Sequence, residues 1–242
     1  MSARSFVLTI RLHDSRFHGR SEWPPSPARA FQALVAGASG QLSVESTQAA
    51  FRWLEQLSAP TILAPESRVG TSLTQFVPNN DLDAKGGDPA KIGDIRVAKT
   101  TRPRLLEAGV PLGYIWRFDA EDGSEARARA SGEHAERLSR LAVDLYQFGR
   151  GVDMAYANGA VLDQAATASL IAEYPGRVHE PGGAVGELGL LCPCSGSFDS
   201  LIARHEAQGK RFQQPETKGK TRSVFVQPPR SVFRKMGYDS TH

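Results

Sequence analysis

Eight side chains that could handle a polyanion fall in three short stretches of the sequence: Arg16, His18, Arg20 and Arg29; Lys99, Arg102 and Arg104; and Arg150 between Gly149 and Gly151. Guanidinium and ammonium groups neutralise phosphate, and the threonines beside the second stretch, Thr100 and Thr101, add uncharged hydrogen bonds. No acid interrupts the run Arg96, Lys99, Arg102, Arg104. Such a run also suits a solvated loop with no partner, so its residues alone leave both readings open. Glycines on both sides of Arg150 let backbone approach a ligand closely, and they would equally serve as a helix C-cap carrying an exposed arginine. His18, flanked by Arg16 and Arg20, has the makings of a general base beside cations, which is enough for metal-free RNA cleavage; a lone histidine in a basic turn is more often a hydrogen-bonded surface residue.

Other chemistries have less behind them. Neither a Gly-x-Gly-x-x-Gly nor a Gly-x-x-x-x-Gly-Lys-Ser/Thr loop is present, so nucleotide hydrolysis has no motif. His13, His18, His134, His179, His205 and His242 include no pair at metal-ligand spacing. Cys192 and Cys194, the two cysteines, fall short of the four ligands of a structural zinc site and read as small apolar residues at a strand end. No metal, cofactor or disulfide is expected. The turn Asn79-Asn80-Asp81 could ligate a cation or a sugar, but Asn and Asp after Pro78 are what a turn needs.

The chain has 242 residues, 40% hydrophobic and 23% charged, with net charge +3 and an isoelectric point of about 9.0. That is a globular composition with a mild basic excess, compatible with nucleic acid without requiring it. The first residues lack the apolar core of a signal peptide and no run reaches the length of a membrane span, so a cytoplasmic protein is expected.

The elements that would carry these residues are legible in part. Phe6, Leu8, Ile10 and Leu12 alternate with polar neighbours, the period of a strand with one buried face. Ser26-Pro27 then opens a helix with Phe31, Leu34, Val35 and Ala38 on one stripe, so the basic corner around residues 16–20 lies between strand and helix. A second helix runs from Ser46 to Pro60, with Ala50, Trp53, Leu54 and Leu57 on its apolar face. Residues 72–77 read as a strand, and 82–110 as a long polar excursion. Leu112, Tyr114, Trp116 and Phe118 form the clearest second strand; Trp116 and Phe118 read as core, while Tyr114 is left between core and base stacking. After a polar linker over 120–132, a helix is expected from about Glu133 to Phe148, then a strand from the Gly-Arg-Gly turn, then a helix or irregular turn over 161–174. Ser195-Gly196-Ser197 opens a helix whose N-terminus would favour a phosphate, although Ser197 as an ordinary cap suffices. From Lys210 the chain is basic and interrupted by Pro215, Pro228 and Pro229.

The segment Arg16-Phe-His-Gly-Arg-Ser-Glu-Trp-Pro-Pro-Ser-Pro-Ala-Arg29, set between that strand and helix, resembles the N-terminus of CRISPR-associated RAMP proteins. More closely, it is similar to the Cas-five-type subunit of type I-G (formerly I-U) Cascade effector complexes, which binds the guide's 5′ handle and is often fused to a Cas-six-type repeat endoribonuclease. The resemblance implies an α+β chain: an RRM-like, ferredoxin-like sheet with helices on one face over 1–158, a basic thumb-like insertion at about 79–110, an irregular C-terminal extension over 159–212, and a basic linker or arm over 213–242. It implies a non-catalytic role capping the CRISPR RNA 5′ handle, with Arg16, His18, Arg20, Arg29, Lys99, Arg102, Arg104 and Arg150 lining the RNA path. The partners implied are CRISPR RNA and the backbone and large subunits of the complex, with target DNA near its recognition signal left open. A metal-independent endoribonuclease acting on repeat RNA is the alternative.

Overall fold

The structure is a computed structural model that describes residues 3–19, 22–78, 88, 90, 93–94, 96–118, 125–182, 188–210, 212–213, 224–225 and 227–241. Strand β1 (Arg4–Leu12) buries Phe6, Leu8, Ile10 and Leu12 on one side as its alternation requires. A turn leads to the two-residue strand β2 (Arg16–Phe17), and helix α1 (Pro27–Gly37) starts with proline at its first position. Ser26 caps it through backbone only, its carbonyl accepting from Arg29 and Ala30. Helix α2 (Glu45–Leu54) follows, then strand β3 (Thr61–Ala64), buried throughout.

The chain next leaves the main sheet. Strand β4 (Ser67–Val69) leads into a ribbon of β5 (Leu73–Pro78) and β6 (Arg96–Thr101), which pair only with each other, and β7 (Arg104–Leu106) returns between β2 and β4 in a small three-stranded sheet. Strand β8 (Leu112–Phe118), helix α3 (Glu125–Leu141) and strand β9 (Ala155–Asp163) complete a β-α-β-β-α-β unit. Its strands lie in the order β3-β8-β1-β9, every neighbour antiparallel. This is the RRM-like α+β arrangement.

The register explains the core. Phe6 stands opposite Trp116 and Leu8 opposite Tyr114, so the aromatics of β8 meet the apolar side chains of β1 beneath α1, α2 and α3. Tyr114 is fully buried and donates to the Pro25 carbonyl at 2.8 Å, which places it in the core with Trp116 and Phe118 and removes it as a stacking platform.

Beyond Asp163 the structure departs from the sequence expectation in two ways. Helix α4 (Gln164–Ala172) covers the opposite face of the sheet, packing Leu170 and Ile171 on Val7, Leu63 and Ile115, so helices are not confined to one side. The C-terminal region is also more regular than expected. Strands β10 (Arg177–Gly182) and β11 (Leu188–Cys192), helix α5 (Ser197–Gly209), the short pair β12 (Phe212–Gln213) and β13 (Val224–Phe225), and β14 (Arg234–Thr241) follow in order. Of these, β10, β14 and β11 extend the main sheet from β3 to make seven strands. Tyr238 is why β14 joins: it is buried and donates to the Pro60 carbonyl at 3.0 Å, on a strand whose other residues are too polar and too close to prolines to announce it.

Helix α3 begins at Glu125 within the expected linker and ends at Leu141, where a 3-10 turn (Ala142–Asp144) replaces its expected last turns. Among the described residues, no helix is long and apolar enough to cross a membrane.

Candidate nucleic-acid interface

Asp153 organises the basic corner. It is fully buried two residues before β9, and its carboxylate spans two distant loops. Oδ1 accepts from the His18 backbone N–H at 2.9 Å and lies 2.8 Å from His18 Nδ1, while Oδ2 accepts from the Arg150 N–H at 3.2 Å. The tip of the turn is closed by the Asp153 N–H on the Arg150 carbonyl and by the Phe148 N–H on the Asp153 carbonyl, both at 2.8 Å. A buried carboxylate needs such donors, and here they fix the corner and the Gly-Arg-Gly turn against each other. The imidazole, bound through Nδ1 and 17% exposed, keeps Nε2 uncommitted among the described residues.

Two glycines make the approach feasible. Gly149 has φ +114°, and a side chain there would press on Asp153, Arg29 and Phe17. A Cβ on Gly19 would sit 2.1 Å from the Phe17 ring. Phe17, almost fully buried, is the apolar peg of the corner: it packs on Trp23 and Phe148, with ring centroids 6.1 and 6.0 Å away.

Cations cover these rings. The Arg29 guanidinium lies 5.6 Å from the Phe17 centroid and bonds Glu22 at 2.9 Å, whereas Arg104 lies 5.4 Å from the Trp23 centroid and donates to the Ser67 hydroxyl at 3.2 Å. Burial lowers the Arg104 pKa from its ordinary value, yet an arginine stays charged. Because β7 pairs with β2, Phe17 faces Arg104 and Arg16 faces Leu105. Arg16 is more than half exposed, with a loose contact to Asp14 at 3.9 Å. Thus Arg16, His18, Arg29, Arg104 and Arg150 share one corner.

The ribbon rises from the same β7. Lys99 pairs with Gln75 across it, and Arg102 sits at its foot, two residues before Arg104. Arg96, Lys99 and Arg102 are exposed and have no acidic partner among the described residues. Phe76, opposite Ala98, is 72% exposed. The ribbon starts at Leu73, ahead of the expected insertion; the Asn79-Asn80-Asp81 turn and Arg20 lie outside the described residues.

A family model described as CRISPR-associated protein, GSU0054 family, matches residues 2–238. The chain belongs to that family. It is therefore a CRISPR-associated protein with a part in CRISPR defence. No curated protein matches the GSU0054-family chain. Among solved structures it is similar to the crystal structure of a CRISPR protein from Archaeoglobus fulgidus, with 12% identity and a TM-score of 0.31. That match spans 74% of this chain and 64% of the other, less than two thirds of its length.

Other positions of the GSU0054-family chain resolve differently. The N-terminus of α5 is occupied from within: buried Glu55 accepts from the Gly196 and Phe198 N–H groups at 2.9 and 2.6 Å, where an anion was conceivable from sequence. Cys192 and Cys194 are free thiols, and burial pushes the Cys192 thiol up to about 11. Among the described residues no group of three His, Cys, Asp or Glu side chains could hold a metal ion. Sequence reading missed Asp153, Glu22 and the Phe17–Trp23 pair. A signal for Asp153 was present, since it keeps step with the buried positions Ala155 and Ala157 at period two; nothing in the sequence tied it to His18, 135 residues away.

Proposed function

We propose that this GSU0054-family protein is a non-catalytic RNA-binding subunit of a Cascade-type complex, capping the 5′ handle of CRISPR RNA and helping assemble the complex. One observation supports this above the rest: a buried carboxylate holds His18 and the Arg150 turn together beside Arg16, Arg29 and Arg104, at the foot of a ribbon whose cations are unpaired among the described residues. Fixed cations suit a defined phosphate path, and exposed ones on a ribbon suit gripping a flexible strand. RNA and the neighbouring subunits are the partners on this reading, in the cytoplasm, with target DNA an additional contact to examine.

Fluorescence anisotropy with handle RNA across a salt series tests it. Each phosphate contact on a single strand contributes about 0.7 to the slope of log affinity against log salt, so Lys99→Glu with Arg102→Glu should lower the slope by about 1.4. Unchanged affinity and slope would remove the ribbon from the RNA path.

The His18–Asp153 pair favours one alternative, a metal-independent endoribonuclease for repeat RNA, because the carboxylate orients an imidazole with a free Nε2. Incubation with repeat RNA in EDTA separates the two. Defined cleavage products that disappear in His18→Ala would establish the enzyme, whereas intact RNA in a complex supports the cap.

A further inference from the structure

Beside the corner lies a slot of about 230 Å³ between α1 and the segment Tyr146–Gly149. Ala33, Ala36 and Gly37 give its α1 wall a flat, small-residue surface, and Arg29 stands at one end. The opposite wall carries Tyr146, an aromatic ring left 59% exposed at the rim of a polar cleft. Gln32 from α1 and Gln147 from the facing segment complete the lining, and neither carboxamide has a hydrogen-bond partner among the described residues. A Cβ built on Gly151 would lie 3.7 Å from Gln147 Nε2, which sets the slot next to the Arg150 turn.

Each feature has a counterpart in one ligand. A narrow slot with small residues on one wall and an aromatic on the other fits a planar ring, which tyrosine can stack on. A carboxamide both donates and accepts, the pattern that reads a base edge. Arg29, in the lining itself, provides for the phosphate that accompanies the ring. Among the described residues, Glu22 is the only acid that bonds Arg29, through Nε and Nη2, which leaves Nη1 for a ligand.

We propose that this slot receives one unstacked base of single-stranded RNA and that Gln32 and Gln147 read it. The inference rests on the RNA-binding reading above and extends it from phosphate contacts to base discrimination. The corner then grips the strand while the slot selects sequence at one nucleotide.

Binding of the full chain to short oligoadenylate, oligocytidylate and oligouridylate, followed by anisotropy, decides the matter. The wild-type protein should favour one of the three by about tenfold, the discrimination expected of one well-read base. Gln32→Ala with Gln147→Ala should bring the three affinities within about twofold. Tyr146→Leu should weaken all three, and Tyr146→Phe, which keeps the ring, should restore them. Equal wild-type binding to all three, or a preference that survives the double glutamine variant, overturns the slot and leaves the cap standing. No binding to any of them overturns both.

Discussion

The corner and the ribbon carry the same kinds of side chain and hold them in opposite ways. At the corner, Arg29 and Arg104 lie against aromatic rings with hydrogen bonds to Glu22 and Ser67, and the Arg150 backbone is fixed by a carboxylate sealed from water. On the ribbon, Lys99 and Arg102 have no such support among the described residues, and residues 73–76 and 96–100 are all exposed. Anchoring costs desolvation and gives geometry; exposure costs nothing and gives charge without position. Geometry in one region and charge in the other is what a protein needs to seat a strand end and hold its continuation.

If that contrast is right, the corner should be fragile and the ribbon tolerant. The largest effect is expected from Asp153→Ala, which strands the part-buried backbone donors of His18 and Arg150 and empties a fully buried polar position. Leaving such groups unsatisfied should destabilise the protein by about 3 kcal/mol, measured by urea unfolding. A loss below about 1 kcal/mol would mean that the corner is not held by this carboxylate. Gly149→Ala comes next. A Cβ at φ +114° is strained and meets Asp153 at 3.2 Å, so a cost of about 1–2 kcal/mol is expected, with RNA affinity falling as the turn shifts.

His179, far from the corner, sharpens the comparison through pH. His179 on β10 is buried, and neither ring nitrogen has a hydrogen-bond partner among the described residues. Burial, with the charge of Arg177, lowers its pKa below the usual histidine value. The unfolded chain therefore binds the proton more readily, and stability should fall as pH drops from the unfolded value near 6.5 toward the lowered folded one. His179→Leu should flatten that part of the stability profile, as followed by urea midpoints at successive pH values. A slope equal to that of the wild type would assign the acid sensitivity to other groups.

How much of this was legible varies with the range of the interactions. Period two in β1 and β8, and Ser26-Pro27 at α1, are local signals, and the structure follows them. The first turns of α3 carry alanine and arginine without an apolar stripe, because they lean outward, so periodicity had nothing to report there. Helix α4 is alanine-rich and short, and its role depends on Val7, Leu63 and Ile115 lying on the far side of the sheet. The corner was visible as a cluster of residue types around Arg16 and His18. Its anchor was not, because a carboxylate selected by two loops 135 residues apart leaves no spacing to read.

The smallest effect is expected where the sequence looks most conspicuous. Phe76 is large, apolar and 72% exposed, and Lys99 stands on a strand bonded only to β5. Neither buries much area or holds a satisfied buried donor, so replacing each with serine should change unfolding free energy by no more than about 0.5 kcal/mol. The same two substitutions should weaken binding to handle RNA, since an exposed ring and an ammonium unpaired among the described residues have little other work than contact with a ligand. Loss of stability without loss of binding would reverse the assignment, making the ribbon a structural element and leaving the corner alone to carry the RNA.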